Sequence, residues 1–124
     1  MRLSYYVLWY AKCRLLGKRI PLQSEIYITT RCNLNCRHCF IRGAIALGSL
    51  KETDLKYEEI LRVLKHCYNA GSRILWFGGG EPLLWKDNHY SLEDLIQAAK
   101  KIGFFAVTFA TNGTLPIKSS ADLI

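Results

Sequence analysis

No stretch of this chain approaches the roughly 20 consecutive apolar residues that a membrane-spanning helix needs, so no such helix is expected within it. A secretory signal is missing too. The apolar run from Tyr5 to Ala11 has no small-residue cleavage site behind it, and Lys12, Arg14, Lys18 and Arg19 follow instead. Acidic residues are absent from the first 20 positions. Neither a Walker loop nor a dinucleotide fingerprint occurs, which removes the commonest phosphate-cradling devices. A disulfide framework is equally unsupported: five cysteines is an odd number, and three of them crowd into RCNLNCRHCF. Such usage belongs to a reducing compartment, and the protein reads as cytoplasmic. Finally, no fourth cysteine joins that trio, whereas a closed structural zinc site takes four ligands.

With 124 residues, half of them hydrophobic, the chain suffices for one domain with a real core. Its net charge of +7 resembles a nucleic-acid footprint until it is located. Residues 1 to 20 supply +5 through Arg2, Lys12, Arg14, Lys18 and Arg19, and the remainder sets 12 bases against 10 acids. Nucleic acid is therefore not an expected partner; the charge belongs to an N-terminal arm, residues 1–23. That arm reads as a helix, apolar around Leu3, Val7, Leu8, Tyr10, Leu15 and Leu16, with bases along its other side. It suits packing on one end of the domain. The same pattern, with Trp9 and three tyrosines, also suits an interfacial helix drawn to anionic lipid.

Pro21 ends the arm, and residues 24–124 form the core unit. Ser24 to Thr30 (SEIYITT) is β-branched and aromatic and reads as a first strand. The cysteine loop follows, then a glycine-containing stretch through Gly48. Asp54 or Lys56 opens a helix carrying Ile60, Leu61, Leu64, Cys67 and Tyr68 at helical spacing, stopped by Gly71. Arg73 to Phe77 is a second strand, ended by GGGEP, and Trp85 to Tyr90 is an irregular connection. Ser91 with Asp94 approximates a capping box for a second helix that Gly103 closes. Phe104 to Ala110 (FFAVTFA) is a continuous apolar run, as for a strand covered on both faces. Strands alternating with helices predict an α/β fold with parallel neighbours. Every motif then follows the C-terminal end of a strand, where such sheets collect ligands.

Cys32, Cys36 and Cys39 fall within eight residues, a density that points to metal. A cubane iron–sulfur cluster held by three cysteines leaves one iron open to a small molecule. Arg31 and Arg37 flank the loop and suit the charge of a thiolate-rich cluster. Zinc stays an alternative, with His38, Cys13, His66 or Cys67 as its fourth ligand. In GGGEP, glycines admit close approach to backbone carbonyls, and Glu81 adds a carboxylate. Carbonyls plus a carboxylate attract a cation such as an ammonium group. TNGT, residues 111–114, reads equally as a turn or as a ligand contact.

The spacing of Cys32, Cys36 and Cys39 resembles the cluster loop of the radical S-adenosylmethionine (radical SAM) superfamily. Gly79-Gly80-Glu81-Pro82 is similar to that family's glycine-glycine-glutamate motif, and Thr111-Asn112-Gly113-Thr114 to a segment many members carry after their third strand. The resemblance runs from about Ser24 to Leu115. It implies the N-terminal part, about three strand–helix units, of a partial TIM-like barrel with parallel strands. It implies a 4Fe-4S cluster on the three cysteines and S-adenosyl-L-methionine as cofactors. Gly79, Gly80 and Glu81 would hold the methionine ammonium, the backbone near His38 would lie by the adenine, and Asn112 is a further cofactor candidate. The implied reaction is reductive cleavage of S-adenosylmethionine to a 5′-deoxyadenosyl radical that abstracts hydrogen from a substrate. An electron donor such as flavodoxin or ferredoxin is implied as a partner.

The family's domains have about six strand–helix units, and this chain ends with SSADLI one segment beyond its third strand. It reads as a truncated core, one part of a split enzyme, or a half-domain whose barrel a partner chain completes. A noncatalytic metal-binding fragment is the alternative from another class. The residues that select a substrate in the family usually lie in later segments.

Overall fold

A computed structural model describes residues 2–17 and 19–116. The closing SSADLI lies outside the described residues, as does Lys18. Three strands form the main sheet: β1 (Gln23–Thr29), β2 (Ile74–Gly79) and, last in the chain, β5 (Ala106–Phe109), in the order β1-β2-β5. Both pairings are parallel, with Gln23 opposite Ile74 and Ile74 opposite Ala106. The α/β class and parallel sheet stand as expected.

Two amphipathic helices cover one face. In α3 (Tyr57–Asn69) Ile60 and Leu64 point inward; in α4 (Leu92–Ile102) Leu92, Leu95, Ile96 and Ala99 do. They meet Ile26, Ile28, Leu75 and Phe77 in one buried cluster. The caps follow from sequence. Glu59 accepts from the Lys56 backbone N–H, and Asp94 from that of Ser91, each at 2.8 Å. Gly103 closes α4 at φ 118°.

The opposite face differs from expectation. Glu25, Tyr27, Trp76 and Thr108 turn away from the helices and are exposed, so β5 is covered on one side only. Alternation along β1 and β2 gives the reason: with period 2, residues between the core positions point the other way. The apolar FFAVTFA masks this, because its outer positions are themselves apolar or Thr. The strand is also shorter than the run Phe104–Ala110.

Two elements replace expected loops. A helix, α2 (Phe40–Ala46), occupies the stretch after the cysteines, with Ile41 buried. Its single Gly43 costs only about 1 kcal/mol in helix propensity, less than burial of Ile41 returns. Between Trp85 and Ser91, β3 (Lys86–Asp87) and β4 (Tyr90–Ser91) form a small hairpin, turned at Asn88 with φ 54°. Asp87 on it accepts from the Tyr57 backbone N–H at the head of α3, and Tyr57 stacks on Tyr90 at 3.7 Å.

The arm forms α1 (Arg2–Leu16), which leans on the lower end of the sheet, opposite the strand ends that carry the motifs. Its packing side is aromatic. Tyr5 meets the Phe105 ring at 4.7 Å, and Trp9 Nε1 donates to the Ile20 carbonyl at 2.9 Å. The aliphatic positions read as the apolar side face outward instead, because an indole and a phenol reach both apolar surface and chain carbonyls.

Candidate metal centre at the sheet rim

Each motif leaves the C-terminal end of a strand. The cysteine loop follows β1, Gly79-Gly80-Glu81 ends β2, and Thr111-Asn112-Gly113 follows β5. Parallel pairing brings all three to one edge. The register slips by one residue between Tyr27 and Thr29, where the chain leaves β1 for the loop.

The glycines set how closely these segments meet. A Cβ on Gly79 would lie 2.3 Å from the Thr29 carbonyl oxygen, and one on Gly80 only 2.1 Å from that of Arg31. Gly79 also adopts φ 143°. With no side chains there, Gly80 N–H donates to Thr29 and Glu81 N–H to Arg31, at 2.9 and 2.8 Å. The sequence reading gave these glycines to a ligand; the structure uses their bareness to seat the root of the cysteine loop.

Glu81 is fully buried. Its carboxylate accepts from Leu83 N–H (3.1 Å), the Thr111 hydroxyl (2.9 Å) and Asn112 N–H (2.8 Å). Three of the roughly four lone-pair positions of an ionised carboxylate are thus used. Glu81 ties the end of β2 to the end of β5. From there Asn112 Nδ2 donates to Asn33 Oδ1 at 2.8 Å and reaches Cys32 Sγ at 3.8 Å. Asn33 in turn donates to the Thr114 hydroxyl at 2.7 Å. The Cys32 sulfur also accepts from Leu34 N–H at 3.4 Å.

All five cysteines are free thiols. Cys36 and Cys39 line a cavity of about 480 Å³ with Arg37, Arg42 and Glu52, and His38 is exposed on the same loop. Among the described residues no three His, Cys, Asp or Glu side chains converge on one point. Three free thiols on one open loop, one already accepting N–H groups, fit a cubane cluster. Of the other zinc ligands considered, Cys13 lies on α1 at the far end, and Cys67 packs against the core on α3.

Arg31 does not serve the cysteines as expected. It forms an ion pair with Asp54 and donates to the Leu84 carbonyl at 3.1 Å. Asp54 also accepts from the Thr29 hydroxyl, so it braces the end of β1 rather than opening α3. Sequence reading missed Arg42, whose Nε on α2 donates to the Leu34 carbonyl inside the cysteine loop at 3.1 Å. Its only sequence signal is a base three residues past the last cysteine.

Comparison with known proteins agrees with this geometry. The family model described as the Radical SAM superfamily matches residues 26–124. Molybdenum cofactor biosynthesis protein 1 of Dictyostelium discoideum is 38% identical over 92 residues, 73% of this chain and 14% of that protein. The 7,8-dihydro-6-hydroxymethylpterin dimethyltransferase of Methanocaldococcus jannaschii is 36% identical over 98 residues, 77% of this chain and 18% of that one. A probable GTP 3′,8-cyclase of Methanocella arvoryzae is 34% identical over 99 residues, 80% of this chain and 29% of its own. The chain therefore spans less than a third of the length of these relatives. Among solved structures, Streptococcus suis SuiB bound to S-adenosylmethionine superimposes with a TM-score of 0.63 at 22% identity, covering 91% of this chain and 24% of SuiB. SuiB bound to the precursor peptide SuiA gives 0.64 at 23% identity, with the same coverage. At that identity the likeness concerns the fold, which is the parallel α/β arrangement described above.

Proposed function

The chain belongs to the radical SAM superfamily, and on that footing we propose that its cysteine loop holds a 4Fe-4S cluster through Cys32, Cys36 and Cys39. The observation that carries this reading is the rim itself, where the loop bearing three free thiols is fastened at Cys32 and Asn33 to the ends of β5 and β2 through Asn112 and Glu81. When bound, the cluster supplies one electron for cleavage of S-adenosylmethionine to methionine and a 5′-deoxyadenosyl radical that takes hydrogen from a substrate. The electron comes from a low-potential donor such as a flavodoxin or ferredoxin.

The chain's own residues bind and orient. Gly79 and Gly80 offer backbone carbonyls, and Glu81 its remaining lone-pair position, to the methionine ammonium. The loop backbone near His38 borders the adenine. Asn112 holds the loop to β5 and offers N–H to the Cys32 sulfur. Relatives named for different reactions share this one segment, which supports assigning it to the common cofactor rather than to any substrate. Five free thiols support the reading of a reducing compartment such as the cytoplasm.

Anaerobic reconstitution with iron and sulfide tests the reading. The intact chain takes up four irons and four sulfides per chain, on the order set by a cubane, and the three Cys→Ser variants lose the brown chromophore. Reduction with dithionite in the presence of S-adenosylmethionine then yields 5′-deoxyadenosine. Stoichiometric zinc without sulfide, or a chromophore untouched by the serine variants, sinks the proposal.

A further inference from the structure

The outward face of α1 is the largest feature the rim does not explain. Leu3, Val7, Leu8, Tyr10 and Leu15 are exposed on it, from 59% for Val7 to 83% for Leu15. Contiguous apolar surface of this kind on a protein marks an interaction site. The helix is not loose: Tyr5 donates to the Leu22 carbonyl at 3.3 Å, Trp9 to that of Ile20, and both rings face the body. The side chains that anchor α1 are thereby fixed inward, and the aliphatic row is fixed outward.

We propose that this face of α1 lies on an anionic phospholipid surface. Charge selects the occupant. Residues 1 to 20 carry five bases and no acid, so the arm as a whole is positive, and Arg14 and Arg19 are exposed on it. A second copy would bring the same positive arm against itself, and like charges oppose that contact. A bilayer interface takes both parts at once, with aliphatic groups entering the headgroup boundary and bases meeting anionic lipid. Arg14, exposed within the helix's last turn, has a stem long enough to keep its charge at headgroup level. No helix among the described residues can cross a membrane, so the contact is peripheral. The placement also suits the rim, because α1 sits at the opposite end of the sheet and leaves the cysteine loop in water. Trp9, which by sequence suited the lipid boundary, takes no part; its indole is spent on Ile20.

Vesicle co-sedimentation of the 124-residue chain tests this. Vesicles of phosphatidylglycerol with phosphatidylcholine should carry the protein down, pure phosphatidylcholine should do so weakly, and added salt should release it. Leu3→Gln with Val7→Gln and Leu15→Gln should lower partitioning by about tenfold or more, since each side chain forfeits apolar burial. These positions are exposed, so the far-UV circular dichroism should not change. Arg14→Gln with Arg19→Gln, a second and milder variant, should weaken anionic binding while leaving the weak phosphatidylcholine binding in place. Absence of binding by the intact chain overturns the proposal, as does binding that the triple variant retains. So does a dimer in size-exclusion chromatography that the triple variant dissolves, which would give the face to a second copy.

Discussion

At the upper end of the sheet the chain crosses itself through short polar bonds, while at the lower end a helix leans on it through two aromatic side chains. The upper end joins three segments distant in sequence. Arg31 is bonded to the Glu81 backbone, Glu81 to Thr111 and Asn112, and Asn112 to Asn33. The lower end joins α1 to the short connection before β1 and to Phe105. A polar joint with bare glycines tolerates no added atom, because any shift strands a buried donor or acceptor. An aromatic lean tolerates more. The difference suits a rim that must hold thiols in register and a helix that need only stay attached.

The largest expected effect tests the rigid end. Gly80→Ala puts a methyl 2.1 Å from the Arg31 carbonyl oxygen, where only backbone can give way. A loss of about 3 kcal/mol or more is expected in denaturant unfolding, at the upper end for overpacking, with iron uptake falling in parallel. Gly43→Ala is the control: nothing lies within 4 Å of its new Cβ, and it should be neutral or stabilising. Equal effects at Gly80 and Gly43 would erase the contrast.

Glu81→Ala comes next. It leaves Leu83 N–H, Asn112 N–H and the Thr111 hydroxyl without their acceptor, at an expected cost of about 1–3 kcal/mol for buried donors left unmatched. Glu81→Gln keeps the shape but turns an amide NH₂ toward one of those donors, so it should recover only part. Hydrogen exchange at Asn112 should rise in both. An unchanged Asn112 amide would show that the β5 end is held by something else.

A smaller effect is expected below. Trp9→Phe removes the bond to Ile20 and keeps an aromatic ring, costing about 0.5–1.5 kcal/mol in thermal unfolding. Iron uptake should be unaffected, since α1 and the cysteine loop lie at opposite ends. A fall in iron content with Trp9→Phe would mean that the two ends are coupled.

Much of this contrast was legible in the residues, and its gaps have physical causes. Cys32, Cys36 and Cys39 announce themselves because dense thiols have few other uses. The strand and helix order was readable because Gly71 and Gly103 stop helices and Ser91 with Asp94 starts one. The partners of Glu81 beyond β5, Thr111 and Asn112, were not readable, since they lie 30 and 31 residues away and only the parallel pairing of β2 with β5 delivers them. Arg31 illustrates the same limit, being next to Cys32 in sequence yet turned to Asp54. The facing of α1 was misjudged because its aromatic and aliphatic residues alternate around the helix. Hydrophobicity alone does not say which side a carbonyl will anchor.

The smallest effect concerns protons at the lower end. Burial raises the Tyr5 hydroxyl above its ordinary 10.0, and Arg73 opposes part of that rise. The folded state therefore keeps a proton that the unfolded chain gives up, and folding is favoured fully while the pH stays below 10.0. As the pH climbs through the raised value, that contribution disappears. Tyr57, also raised by burial and by Tyr90, adds the same sign beside the hairpin. The melting temperature should thus fall more steeply above pH 10.0 in the intact chain than in Tyr5→Phe, which keeps the ring against Phe105 and has no proton to lose. If the alkaline slopes coincide, the Tyr5 phenol and its bond to the Leu22 carbonyl do not share in holding α1.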